Sequence, residues 1–248
     1  MNRTKYRLAV GLAEVTAAVR RNNATLFGTR TLMYHDLGDG ASTTDVYLLS
    51  PTSFRAQIEA ISQWAHNQQI PFVPLTAEPQ PGIAITFDDG YRSTLAIAAP
   101  LLVQKGIPFH IFATRAYCQL GDARYLNETD LRELAALPDV VIGAHGTTHT
   151  RLAHMPPDVL HRELLDAKDW LQQVIQRPVI SLSYPHGSFA PATAQAVQRY
   201  GYSYACSSQP GTFRSIEQRF SIPRIDIWSL DSVRTTMHKL RGAWDWML

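Results

Sequence analysis

The chain has 248 residues, of which 45% are hydrophobic and 18% charged, so it can bury one large core and is not a disordered polymer. A formal net charge of +2, without a Lys/Arg run or interleaved basic and aromatic residues, excludes the usual nucleic-acid partner. Cys118 and Cys206 stand far apart outside any ligand spacing and read as unpaired thiols, and no segment is apolar for long enough to span a bilayer.

Arg3, Lys5 and Arg7 precede the apolar run Leu8 to Leu12, as in a secretory leader. Glu14 and Thr16 interrupt that run, and no small-x-small cleavage pattern follows. Leu8, Leu12, Val15 and Val19 have the spacing of an amphipathic helix. Residues 1–28 are therefore expected to form a helical extension ahead of a single catalytic domain over residues 29–248. The helix either packs on the domain or lies on an anionic membrane surface as a peripheral contact. The absence of a leader pattern favours a cytoplasmic location. Oligomeric state leaves no trace in the sequence.

Beyond residue 28, short apolar runs alternate with helical patterns, which predicts parallel β/α units. Strands are expected at Thr31–Tyr34, Gly82–Phe87, Phe109–Ala113, Val140–Ile142, Ile180–Ser183 and Tyr204–Cys206, with a short one at Phe72-Val73. Helices are expected from Ser53 to Asn67, Ser93 to Lys105, Asn127 to Leu137, from Asp158 past Val174, from Pro191 to Tyr200, and from Asp231 onward. Pro74–Pro81 reads as a loop. The polar motifs Asp88-Asp89, His145, Tyr184–Gly187 and His35 all fall just past predicted strands. In a β/α barrel those ends share one mouth.

Two adjacent carboxylates, Asp88 and Asp89, repel each other unless a cation compensates. A metal ion would do so, leaving one carboxylate as ligand and the other as base. Gly90 lets the backbone turn sharply after the pair. Alone, Asp-Asp-Gly is equally at home in a solvated turn. His145 and His149 shift the balance, because on a helical turn residues four apart share a face and can share a metal. Two histidines and one carboxylate form a known catalytic zinc set with an open position for water.

Thr86–Gly90 followed by His145–His149 resembles the first two motifs of the polysaccharide deacetylase family, carbohydrate esterase family four. The similarity runs from about Thr31 to about Asp226 and includes Pro100–Phe112. It implies an α/β fold, the distorted (β/α) barrel of the chitooligosaccharide deacetylase (NodB-like) homology domain, and a metal-dependent hydrolase that removes N-acetyl groups from a carbohydrate. By the resemblance Asp88 is the catalytic base, and Asp89, His145 and His149 are the metal ligands. Ser183–Gly187 resembles the third motif, whose backbone N–H at His186 helps hold the oxyanion, with Tyr184 and Pro185 beside the substrate.

The sequence departs from the family pattern in three places. Gly146 replaces the Ser or Thr that follows the first histidine, removing a loop-stabilising hydroxyl. Ser183 stands where an arginine orients the base, and Arg224 is the candidate replacement, with a structural arginine as the plainer reading. The late Leu-x-x-His motif that supplies the acid is missing; His238 reads as a surface histidine. Tyr34-His35-Asp36 resembles the early Tyr-His element of the exopolysaccharide branch, acting on poly-N-acetylglucosamine, which makes His35 the candidate acid.

The implied reaction uses metal-bound water as nucleophile, Asp88 as base and His35 as acid to the leaving amine. Zinc is the expected ion, with cobalt or nickel as alternatives. The partner is an acetylated carbohydrate, whether polymeric, lipid-linked or nucleotide-linked. Competing readings are an O-acetyl esterase or sugar deformylase on the same metal, and a carbohydrate-binding relative without turnover. Trp228, Trp244 and Trp246 either stack on sugar rings or simply pack. His66, His110, His154 and His161 carry no motif.

Overall fold

The computed structural model describes residues 27–39 and 45–246, together with Val10. The expected extension over residues 1–28 falls almost wholly outside them. Seven parallel strands form one sheet in the order β6-β5-β4-β3-β2-β1-β7. They are β1 (Thr29–Tyr34), β2 (Gly82–Phe87), β3 (Phe109–Ala113), β4 (Val140–Ala144), β5 (Ser181–Ser183), β6 (Tyr204–Cys206) and β7 (Ile225–Asp226). The two end strands do not pair directly. Residues 219–222 bridge the gap instead: Ala205 N–H donates to Arg219 O (2.8 Å), Ile222 N–H to Ala205 O (2.9 Å) and Ser207 N–H to Ile222 O (2.9 Å). This irregular seam is what distorts the barrel, and it delivers Arg224 to the interior.

The helices are α1 (Pro51–Gln68), α2 (Ala99–Gln104), α3 (Arg115–Gln119), α4 (Glu128–Ala136), α5 (Pro157–His161), α6 (Ala167–Ile175), α7 (Pro191–Arg199) and α8 (Val233–Leu240). Their ends follow local chemistry. Ser50 caps α1 by accepting from Ser53 N–H, with Pro51 opening the first turn. Asn127 and Asp130 form a reciprocal capping box on α4. The helix expected from Ser93 begins as a π-helical turn, Thr94–Ala98, and the one expected from Asp158 is interrupted by another, Arg162–Asp166. Phe72 contributes only an isolated bridge to Ile83, whereas β7 and α3 had no periodic signal because each is so short.

Strand side chains alternate between two layers. Ile83, Ile85 and Phe87 of β2, with Phe109, Ile111 and Ala113 of β3, face the helices and form the main core. Ala84 and Phe112 point the other way, into an inner cluster with Leu75, Tyr204, Cys206, Phe213 and Ile222. The same inner alternation carries polar residues toward the cavity. His110 Nε2 lies 2.8 Å from the Tyr204 hydroxyl, which donates to Leu75 O at 2.9 Å. Burial, reinforced by Arg224, pushes the His110 pKa down to about 3, so this interior histidine is neutral.

Candidate active site

Every strand-end motif opens on one cavity of about 540 Å³, within the usual size for a small-molecule site. Asp88 follows β2 directly, His145 follows β4 and His35 follows β1. Parallel strands place their C-terminal ends together, so residues distant in sequence meet there.

Asp88 forms the floor. Arg224 reaches it with both terminal nitrogens, Nη1 to Oδ1 and Nη2 to Oδ2, each at 2.7 Å. Ser183 Oγ donates to Asp88 Oδ2 at 2.8 Å, and Arg224 Nη2 donates to Ser183 Oγ at 2.7 Å. Arg224 is itself held from below, Nε donating to Ser207 O at 2.9 Å and Nη1 to Thr86 Oγ1 at 3.2 Å. Arg224, just past the seam, thus meets the Asp88 carboxylate, and Ser183 bridges the two. Burial alone would raise the Asp88 pKa. The Arg224 guanidinium and, after it, His145 together outweigh burial, and the carboxyl is held down at about 2.

Asp89, His145 and His149 form the opposite wall. Asp89 Oδ1 lies 3.2 Å from His145 Nε2 and 3.0 Å from His149 Nε2. One potential ligand atom from each of the three lies within 4.8 Å of the others. His145 Nδ1–H donates to Ser183 O at 2.8 Å, which turns Nε2 toward Asp89 with its lone pair available. Asp89 Oδ1 is buried and lacks a well-formed hydrogen bond. An acceptor facing two imidazole nitrogens across a polar gap suits a cation, so the residues present fit a divalent metal. Burial raises the Asp89 pKa, but the His145 and His149 imidazoles beside it carry it well below the usual carboxylate range.

The histidine pair is not on a helical turn, as its spacing had suggested. Residues 145–150 form an irregular loop, with φ of 74° at Gly146 and 60° at His149. Left-handed backbone at these two positions, rather than helical periodicity, turns both rings inward. Asp89 is also left-handed, with φ of 72°.

His35 borders the cavity with its ring 4.2 Å from that of Tyr47. Its Nδ1 is 4.0 Å from Asp226 Oδ1, beyond hydrogen-bond length. Asp226 is two residues beyond Arg224 and takes a hydrogen bond from Trp228 Nε1 at 2.7 Å. Burial raises its pKa, opposed by His35 and Lys239. Asp226 left no periodic signal, because its strand is only two residues long. Lys239 had no signal as a site residue, because it lies on an amphipathic helix beside the suspected surface residue His238. Its Nζ donates to Asp226 O at 2.8 Å and Asp231 Oδ2 at 2.6 Å, between the faces of Trp228 (3.9 Å) and Trp244 (4.7 Å). Those two tryptophans therefore pack on a lysine while also lining the cavity, whereas Trp246 is exposed.

The third-motif segment contributes unequally. The Tyr184 ring stacks on Phe189 and its hydroxyl donates to Phe220 O at 2.9 Å, while the residue also lines the cavity. Pro185 is buried. His186 borders the cavity with φ of 56°, its ring 4.5 Å from that of His149 and its Nε2 donating to His149 O at 3.2 Å.

The parallel β/α barrel thus carries a buried, ionised carboxylate beside an Asp-His-His triple at one mouth. Comparison with known proteins is more specific. Residues 76–205, just over half of the chain, match the model of the family described as polysaccharide deacetylase. A Bacillus subtilis (strain 168) protein named as a polysaccharide deacetylase, YxkH, is 26% identical over 206 residues, covering 79% of this chain and 70% of that one. Among solved structures, the Streptococcus pyogenes deacetylase PplD in complex with acetate superposes with a TM-score of 0.75 at 20% identity, over 87% of this chain and 99% of that one. IcaB from Ammonifex degensii gives 0.70 at 19% identity, over 87% and 97%. The chain belongs to the polysaccharide deacetylase family, and its fold is the NodB-like barrel of those deacetylases.

Proposed function

We propose that the chain is a metal-dependent N-deacetylase acting on an acetylated carbohydrate. One observation carries the reading: a carboxylate held ionised by a buried arginine, Asp88, stands beside a separate Asp-His-His cluster able to hold a cation. A divalent cation on Asp89, His145 and His149, zinc first and cobalt or nickel next, would supply Lewis acidity at the acetyl carbonyl and lower the pKa of water.

The chain's own residues supply the rest. Asp88 remains ionised across any working pH and takes the proton from the attacking water. Arg224 and Ser183 orient it. In the third-motif segment Tyr184, Gly187 and Ser188 spend their N–H groups on Cys206, Tyr184 and Pro185 carbonyls, and Pro185 has none. The His186 N–H is the donor left for the oxyanion. His35, across the cavity beside Asp226, protonates the departing amine, which leaves poorly as an anion. A peripheral membrane contact through residues 1–28 and a cytoplasmic location belong to the same proposal. Among the described residues no helix is long and apolar enough to cross a membrane.

The test is acetate release from matched N-acetyl and O-acetyl sugars, with and without chelator, for the parent and Asp88→Asn. We expect chelator-sensitive release from the N-acetyl substrate, about 10²–10⁴-fold slower in the variant. Full turnover by Asp88→Asn would remove Asp88 as base. Release from the O-acetyl sugar alone would make the protein an esterase, and release from neither would favour a binding relative.

A further inference from the structure

Glu163 is a carboxylate with only 5% exposure, and the proposed reaction does not use it. It lies in the π-helical turn Arg162–Asp166, beneath the loop that joins His145 to His149. Its Oε2 accepts from the N–H groups of Thr147 (2.9 Å) and Thr148 (3.0 Å), and its Oε1 accepts from Thr148 Oγ1 at 2.6 Å. Thr147 Oγ1 reaches back to the carbonyl oxygens of Arg162 (3.0 Å) and Glu163 (3.3 Å). A π turn shifts the helical hydrogen-bond ladder and leaves carbonyls open to such outside donors. The loop's own carbonyls face the other way: Gly146 O and Thr147 O accept from Arg115 and Ala116 N–H at the start of α3. One side of the loop is thus tied to backbone donors and the other to a single buried carboxylate.

Gly146 makes that approach possible. A Cβ there would sit 3.1 Å from Glu163 Oε2 and 3.4 Å from Pro185 Cγ, on backbone with φ of +74°. The hydroxyl missing from position 146 is replaced by a different anchor, a carboxylate from a neighbouring helix.

We propose that Glu163 is a positioning residue for the metal site: its carboxylate sets where the loop presents His149 Nε2 and so sets metal affinity. This rests on the reading of Asp89, His145 and His149 as the metal ligands. Partners that orient a metal's ligands typically change its affinity by about 10–100-fold when removed.

The experiment is a zinc titration of the metal-free parent, Glu163→Ala, Glu163→Gln and His145→Ala against a chromophoric chelator, with the thermal midpoint of each metal-free protein. We expect zinc to bind about 10–100-fold more weakly to Glu163→Ala, and with a smaller loss to Glu163→Gln, whose carbonyl can still accept both loop N–H groups. A merely structural role would lower the midpoint and leave zinc affinity of the folded protein unchanged. Should Glu163→Ala fail to fold, Thr148→Val removes the hydroxyl bonds to Oε1 and to Thr150 Oγ1 while keeping both loop N–H bonds to Glu163, and a severalfold weaker affinity is expected. Folded variants that bind zinc within about twofold of the parent would overturn the proposal. If instead the parent binds zinc no better than His145→Ala, the metal-site reading itself falls, and this inference with it.

Discussion

Asp88 and Asp89 are neighbours in the chain, yet they belong to two differently built regions. Beneath Asp88 the floor is a buried ion pair: a bidentate guanidinium and a serine hydroxyl, rooted in the barrel interior. Around Asp89 the rim is a loop with left-handed residues, half-buried at His149, and anchored from outside by Glu163. The floor keeps its carboxylate ionised by charge compensation. The rim keeps two imidazoles aimed at one point by backbone geometry, with neutral donors satisfying the buried Glu163. A base needs a fixed charge state, whereas a ligand set needs fixed directions, and each region is stabilised in the currency its chemistry requires.

This contrast predicts that floor variants change stability and rim variants change metal affinity. The largest effect is expected from Arg224→Met, which strands a buried carboxylate: urea unfolding should show a loss of about 3–5 kcal/mol. Adding Asp88→Asn to it should restore part of that loss, because no uncompensated charge then remains. An additive double variant would break the account of the floor. Ser183→Ala removes a hydrogen bond to a charged group and should cost about 1.5–3 kcal/mol in the same measurement, with zinc affinity nearly unchanged.

A last effect concerns pH. His110 is neutral in the fold, with a pKa lowered from 6.5 to about 3, so between those values the unfolded chain binds the extra proton. Its contribution is therefore fully present above pH 6.5 and lost progressively as pH falls toward 3. In His110→Gln the dependence of unfolding free energy on pH between those limits should flatten by about 1 kcal/mol per pH unit. Asp88 acts in a lower window: its ionised pairing with Arg224 is present above pH 3.8 and is lost as pH falls through about 2. An unchanged slope in His110→Gln would show that the interior histidine does not titrate with unfolding.

Much of the barrel was legible because its strands are nearly continuous apolar runs bounded by turn signals. Gly82–Phe87, Phe109–Ala113 and Tyr204–Cys206 have the same limits in sequence and structure. The strand ends then located Asp88, His145 and His35 at one mouth. Short or irregular pieces left no periodic trace: the two-residue β7, the seam over residues 219–222, and the π turn that carries Glu163. The spacing of His145 and His149 suggested a shared face and misled about conformation, since a loop with positive φ brings the rings together as well as a helix would.

What the sequence determined by itself was the residue types and their order: paired aspartates, a histidine pair, an early histidine, and the alternation that places them past strand ends. Those follow from local rules, hydrophobic period and turn chemistry, which a chain expresses without reference to distant residues. Tertiary structure alone decided that Arg224 meets Asp88 across 136 positions, that Glu163 reaches under the loop joining His145 and His149, and that Lys239 sits between two tryptophans beside Asp226. Such pairings depend on where the barrel closes and which helix packs beneath which loop, and no local pattern encodes a distance between residues so far apart in the chain.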